Sequence, residues 1–193
     1  MKAIIIGTGP SLNDQAENIK RLASSGFKLF GVNNTYHDFD LDCWIACDSK
    51  WHEVYGQVVG DFDKWHWDKS ICDKYGYSYI EGRWGDGLSV DGSYIHYGHS
   101  SGYQALGLAL HYGATEIYLC GYDMSYSAEI RHYFTNLSAE GGEYPKELRK
   151  YSTFDGLIRC YKTIADQEGL PPIYNCTKGS SMACFEYRNI GDL

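Results

Sequence analysis

Met1-Lys2-Ala3-Ile4-Ile5-Ile6-Gly7-Thr8-Gly9-Pro10-Ser11-Leu12 decides how the chain is read. The apolar run at 3–6 has no polar alternation, so it predicts a strand buried on both faces, as in the centre of a parallel sheet. Gly7-Thr8-Gly9-Pro10-Ser11 then ends the strand in a tight turn. Two glycines let backbone approach a phosphate closely, Ser11 offers a hydroxyl and a helix N-cap, and the following helix aims its amide dipoles at an anion. The loop is neither Gly-x-Gly-x-x-Gly nor a Walker loop: Pro10 interrupts it and no Gly-Lys-Ser/Thr follows. A plain strand-to-helix turn is the competing reading.

Outward from this loop, 13–25 reads as a helix with Ile19 and Leu22 inward and Gly26 at its end. Strands are predicted at 27–32, ending at Asn33-Asn34, and at 41–47, ending at Asp48-Ser49. Three successive strands thus each end in polar residues: Thr8 and Ser11, Asn33 and Asn34, Asp48 and Ser49. In a doubly wound sheet the carboxyl ends of parallel strands line one crevice, so these side chains are expected to converge. Residues 51–97, rich in Trp, Tyr, Gly and Asp, predict a short helix, one strand near 77–80 and a long loop that acts as a lid or acceptor surface. Ser100 or Ser101 caps a helix over 102–112, Gly113 stops it, and 116–120 is a further buried strand. A helix over 145–168 and a short strand over 171–176 complete the pattern. The expected fold is α/β: a single doubly wound, mostly parallel sheet with helices on both faces.

The 193 residues, 44% hydrophobic, suit one domain spanning 1–193, with a Gly- and aromatic-rich insertion or lid at about 51–99. A formal charge of −8 disfavours broad nucleic-acid or membrane binding and favours a small neutral or phosphorylated ligand; a modified nucleobase as acceptor stays open. No basic-plus-apolar leader and no membrane-length apolar run is seen, so a cytoplasmic protein without a membrane span is expected. Seven irregularly spaced cysteines read as reduced structural thiols, and no zinc spacing is present. Asp38, Asp40, Asp42, Asp61 and Asp63 lack an ordered metal-loop signature and read as solvated acidic turns.

Chemistry concentrates after the strand at 116–120. It delivers Asp123, Ser125 and Tyr126 to the crevice, followed by Arg131-His132-Tyr133. A histidine neutral near pH 7 takes a proton from a hydroxyl, so His132 is the candidate base. Tyr133, Tyr126 and Arg131 are placed to stabilise charge on a departing phosphate.

As a set, Ile-Ile-Gly-Thr-Gly-Pro-Ser-Leu at 5–12, Val-Asn-Asn at 32–34, Ser-Ser-Gly-Tyr at 100–103, Glu-Ile-Tyr-Leu-Cys-Gly-Tyr-Asp at 116–123, His-Tyr at 132–133 and Asn-Cys-Thr at 175–177 are similar to motifs of one superfamily. In this order they resemble the bacterial lipooligosaccharide sialyltransferases (glycosyltransferase family 42) and the wider MptE-like group, which includes archaeal hydroxymethylpterin pyrophosphokinases. The resemblance implies a Rossmann-like GT-A variant, a CMP-linked donor, and inverting transfer to a sugar hydroxyl without metal or other cofactor. It also implies a homo-oligomer, since the related sialyltransferases are tetramers. By position, Asn33, Ser101 and Gly102 match nucleotide-contacting residues, while Thr8 replaces the asparagine of the family's Gly-Asn-Gly-Pro-Ser loop and Asp48 stands where the sialyltransferases have asparagine. With Gly7, Gly9, Ser11 and Asn34, read from the strand ends themselves, these are the candidate nucleotide contacts. Tyr133 falls where the family's tyrosine binds the leaving phosphate. The family base, the second histidine of His-Tyr-x-x-His, is replaced by Asn136, which accepts no proton at neutral pH. Either His132 substitutes or the reaction differs. Transfer of a nucleotide-linked sugar to a hydroxyl acceptor is therefore expected. The alternatives are ATP-dependent pyrophosphoryl transfer with magnesium on Asp48 and Asp123, and a non-catalytic nucleotide-binding module.

Overall fold

A computed structural model describes residues 1–98, 100–125, 133 and 154–193. Its first strand, β1 (Lys2–Ile6), is followed by helix α1 (Leu12–Ser24), β2 (Lys28–Val32), a 3-10 turn (Asn33–His37) and β3 (Cys43–Ile45). Next come α2 (Ser49–Tyr55), β4 (Asp63–His66), α3 (Lys69–Tyr75), β5 (Ser78–Tyr79), β6 (Gly82–Arg83) and β7 (Ile95–His96). The described chain ends with α4 (Ser101–His111), β8 (Glu116–Cys120), α5 (Phe154–Ala165), β9 (Ile173–Asn175) and β10 (Glu186–Tyr187).

Eight strands form one sheet in the order β10-β9-β8-β1-β2-β3-β4-β5, and every pairing in it is parallel. The architecture is Rossmann-like α/β. The chain winds outward from β1 to β5, then crosses back and continues from β8 to β10 on the other side. The order therefore reverses between β1 and β8, and in such sheets ligands enter at that point, outside the carboxyl ends.

Period-two alternation within the unbroken apolar run splits β1 between two cores. Ala3 and Ile5 join Phe30, Val32, Ile45, Ile117 and Leu119 beneath α4 and α5. Ile4 and Ile6 join Leu29, Trp44, Tyr118 and Cys120 beneath α1, α2 and α3. Each buried isoleucine contributes about 1.5–3 kcal/mol, so this strand anchors both layers. In α1, Leu12, Ile19 and Leu22 share the buried face, and Gly26 at φ +96° closes the helix with its N–H on the Ala23 carbonyl. Ser100 caps α4, its hydroxyl accepting from the Tyr103 N–H at 3.2 Å. Among the described residues no helix is long and apolar enough to cross a membrane.

Two expectations need correction. The stretch 51–97 carries the strand expected near 77–80 as β5, but beyond the one short helix, one strand and loop expected it also adds β4 to the sheet, a further helix α3 and the small pair β6 and β7. Its β4, Asp-Lys-Trp-His, is mostly exposed or half-buried and offers no apolar run to read. Ser11 does not cap α1: its backbone is already helical (φ −60°, ψ −15°) and its hydroxyl bonds elsewhere. The helix expected over 145–168 is seen as α5; its first nine residues lie outside the described ones.

Candidate functional site at the strand-order reversal

The loops after β1 and β8 meet at the reversal and hold each other by backbone. Gly7 N–H donates to the Cys120 carbonyl and Gly9 N–H to the Gly121 carbonyl, both at 2.8 Å. A Cβ at Gly7 would lie 2.7 Å from the Gly121 oxygen, and one at Gly9 would collide with the Asp123 carboxylate. The two glycines are thus required by the approach of the second loop.

That approach places Asp123 over the start of α1. Its Oδ1 accepts from the Ser11 N–H at 3.1 Å and its Oδ2 from the Ser11 hydroxyl at 2.8 Å. The positive end of the helix is therefore complemented by the protein's own carboxylate. The loop after β9 buttresses the same turn: Ser181 N–H donates to the Asp123 carbonyl at 3.0 Å, Ser180 hydroxyl to the Tyr122 carbonyl at 2.5 Å, and Tyr122 N–H to Thr177 Oγ1 at 2.9 Å. Ser180 and Ser181 were not singled out in the sequence; their partners lie 58 residues away in the chain.

A second group ties the ends of β2, β3 and α4. The Ser101 hydroxyl donates to Asn33 Oδ1 at 2.9 Å and accepts from the Cys47 N–H at 3.0 Å, while the Asn33 carbonyl accepts from Trp44 Nε1 at 2.7 Å. Asn33 sits at φ +50° and Met124, beyond β8, also at φ +50°. Asparagine tolerates that left-handed conformation; methionine adopts it only against a cost of about 1–2 kcal/mol. Among the described residues, both positive-φ residues that are not glycine thus follow the carboxyl ends of strands. Asp48, half-buried, leads into α2 and makes no capping bond to it. Gly102, in the first turn of α4, has its carbonyl accepting from the Tyr122 hydroxyl at 3.1 Å.

Asn34 and Tyr133 face inward rather than into the crevice. Asn34 is buried with Oδ1 accepting from Trp51 Nε1 at 3.0 Å. Tyr133 is only 2% exposed; its N–H donates to the Thr8 carbonyl at 3.0 Å and its hydroxyl to Asp38 Oδ2 at 2.9 Å. Burial, and after it the Asp38 charge, push this phenol well above its ordinary pKa, so it remains a donor. Tyr133 therefore fixes its own segment to the first loop. Tyr126, Arg131, His132 and Asn136 lie outside the described residues.

Of the acidic turns, Asp42 takes Lys28 Nζ at 2.6 Å and the Leu29 N–H at 2.8 Å, and Asp63 takes the Tyr112 hydroxyl. Among the described residues no three His, Cys, Asp or Glu side chains gather as a metal site. Asp48, after β3, and Asp123, after β8, are the carboxylates that pyrophosphoryl transfer would offer to magnesium, and Asp123 is already engaged by Ser11. Comparison with protein-family models, curated proteins and solved structures finds no match for this chain.

Proposed function

We propose that this protein is a nucleotide-sugar-dependent glycosyltransferase, with a CMP-type donor and no cofactor. The observation that carries the reading is the placement of Thr8, Asn33, Asp48 and Asp123 beyond the carboxyl ends of neighbouring parallel strands around the reversal of strand order, with Ser101 at the start of α4 bonded to Asn33. The ordered motifs shared with the sialyltransferases supply the reaction class.

The Asp123 carboxylate at the start of α1 bears on the donor. A chain of phosphates placed there would meet a like charge, so a single bridging phosphate is favoured over the triphosphate of ATP. In the transfer, His132 takes the proton of the acceptor hydroxyl as its oxygen bonds the anomeric carbon. The bond from that carbon to the phosphate oxygen breaks, and the nucleoside monophosphate leaves. Tyr133, bonded to Thr8 and Asp38, acts as a positioning residue for its segment.

Calorimetry with CMP, UMP, AMP and ATP, each with and without magnesium, tests the reading. CMP is expected to bind selectively and independently of magnesium, and His132→Ala to keep that binding while losing transfer from CMP-sugars. Binding of ATP alone, strictly with magnesium, would move the assignment to pyrophosphoryl transfer. Intact CMP binding with turnover unaffected by His132→Ala would remove the histidine from the mechanism.

A further inference from the structure

Among the described residues Trp84 is the most exposed large apolar side chain, at 82%. It nevertheless rests on a fixed support. Its ring meets Tyr97 edge-on at 4.8 Å between centroids, and Tyr97 in turn meets Trp67 at 4.7 Å. The Tyr97 hydroxyl donates to the Gly82 carbonyl at 3.1 Å, and its own carbonyl accepts from Gln104 Nε2 at 3.2 Å. Gly82 is part of the fit, because a Cβ there would lie 2.6 Å from the Tyr97 ring and 2.9 Å from Trp67 Cβ.

This shelf is continuous with the crevice. Trp67 Nε1 donates to the Cys47 carbonyl at 3.2 Å, and the Cys47 N–H donates to Ser101, which holds Asn33. A large ring left open to water and leaning on a fixed aromatic neighbour adds little to folding. It supplies an apolar face at low ordering cost, as binding sites use aromatic residues. Its charged neighbours along the chain are Arg83, whose guanidinium lies 3.8 Å from the Tyr94 ring centroid, Glu81 paired with Arg83 at 2.7 Å, and the exposed Asp86. Two carboxylates against one cation, in a chain of net charge −8, disfavour a phosphate backbone or an acidic peptide. An uncharged ring with one apolar C–H face and a rim of hydroxyls fits both features.

We infer that Trp84, Tyr97 and Trp67 form a pyranose-binding shelf that seats the acceptor sugar beside the nucleotide crevice. The inference rests on the glycosyltransferase reading for the word acceptor, and on the shelf alone for the sugar.

The whole protein, labelled with 5-fluorotryptophan and with the Trp84 signal assigned by Trp84→Phe, is titrated with lactose, maltose and N,N′-diacetylchitobiose at millimolar concentration, with and without CMP. At least one disaccharide is expected to shift the Trp84 fluorine signal saturably, and Trp84→Ala to weaken that disaccharide about tenfold while leaving CMP binding unchanged. A Trp84 signal unmoved by all three sugars, or sugar affinity unchanged in Trp84→Ala, overturns the shelf even where CMP binds. A Trp84 signal that answers to cytidine and not to sugars overturns it in favour of a base platform. Sugar binding at Trp84 without any nucleotide binding upholds the shelf and overturns the glycosyltransferase reading.

Discussion

The reversal of strand order and the edge side of the sheet treat polar side chains in opposite ways. Around β1, β2 and β8, Ser11 and Asp123 hold each other, as do Asn33 and Ser101. Under β3 and β4, His52 and His66 are buried with ring centroids 5.3 Å apart, among Trp44, Trp51, Tyr75 and Tyr77. Three of their four ring nitrogens have no hydrogen-bond partner among the described residues; the fourth, His66 Nδ1, accepts from the Asp68 N–H at 2.8 Å. Hydrogen bonds to charged or backbone groups fix loop geometry in the first region. In the second, rings fill volume, and these histidines serve as aromatic packing that must stay neutral.

The largest expected effect breaks the first region. Gly9→Ala drives a methyl into Asp123 and the Gly121 carbonyl, and is expected to cost about 3 kcal/mol in urea unfolding, with loss of nucleotide binding. Near-native stability would show that the two loops separate freely.

The second region answers to pH. Burial, and after it the His52 charge, hold His66 down at about 4, against 6.5 for a free histidine; burial also lowers His52. Below pH 6.5 the unfolded chain binds protons that the folded one refuses. Stability is therefore full above that pH and falls as pH drops toward about 4, by about 2–3 kcal/mol for His66. Chemical denaturation across this window measures the slope, and His66→Phe should flatten it. A slope unchanged in that variant would place the titration elsewhere.

A smaller effect measures the Ser11–Asp123 contact. Asp123→Asn is expected to cost about 1–2 kcal/mol, and its double-mutant cycle with Ser11→Ala to show a coupling near 1 kcal/mol. Additive effects would mean that the carboxylate is held by other groups. The smallest change runs the other way: Met124→Gly relieves the left-handed backbone and should stabilise by about 1 kcal/mol.

These contacts also mark what the sequence could and could not disclose. β1, β2, α4 and β8 were legible because unbroken apolar runs end at Gly, Asn or Ser, which are strong punctuation. β4 was not legible, since Asp63 and Lys64 give no periodic signal until β3 lies beside them. β5 falls within the strand expected near 77–80, whereas β10, two residues long, is too short to show a pattern. At the site, Gly7, Gly9 and Ser11 announced themselves as a tight loop. Their partner Asp123 lies 112 residues from Ser11, and Asn33 meets Ser101 across 68 residues. Spacing along the chain encodes neither distance. Ser11 looked like a cap because the competing acceptor comes from the far side of the sheet.

The most direct test of the central claim is amide chemical-shift mapping of the uniformly ¹⁵N-labelled protein during titration with CMP. The account predicts saturating shifts centred on Thr8, Asn33, Asp48, Ser101 and Asp123, with the amides of His52 and His66 unmoved. No shifts, or shifts centred on β4 and the histidine pair, would contradict it.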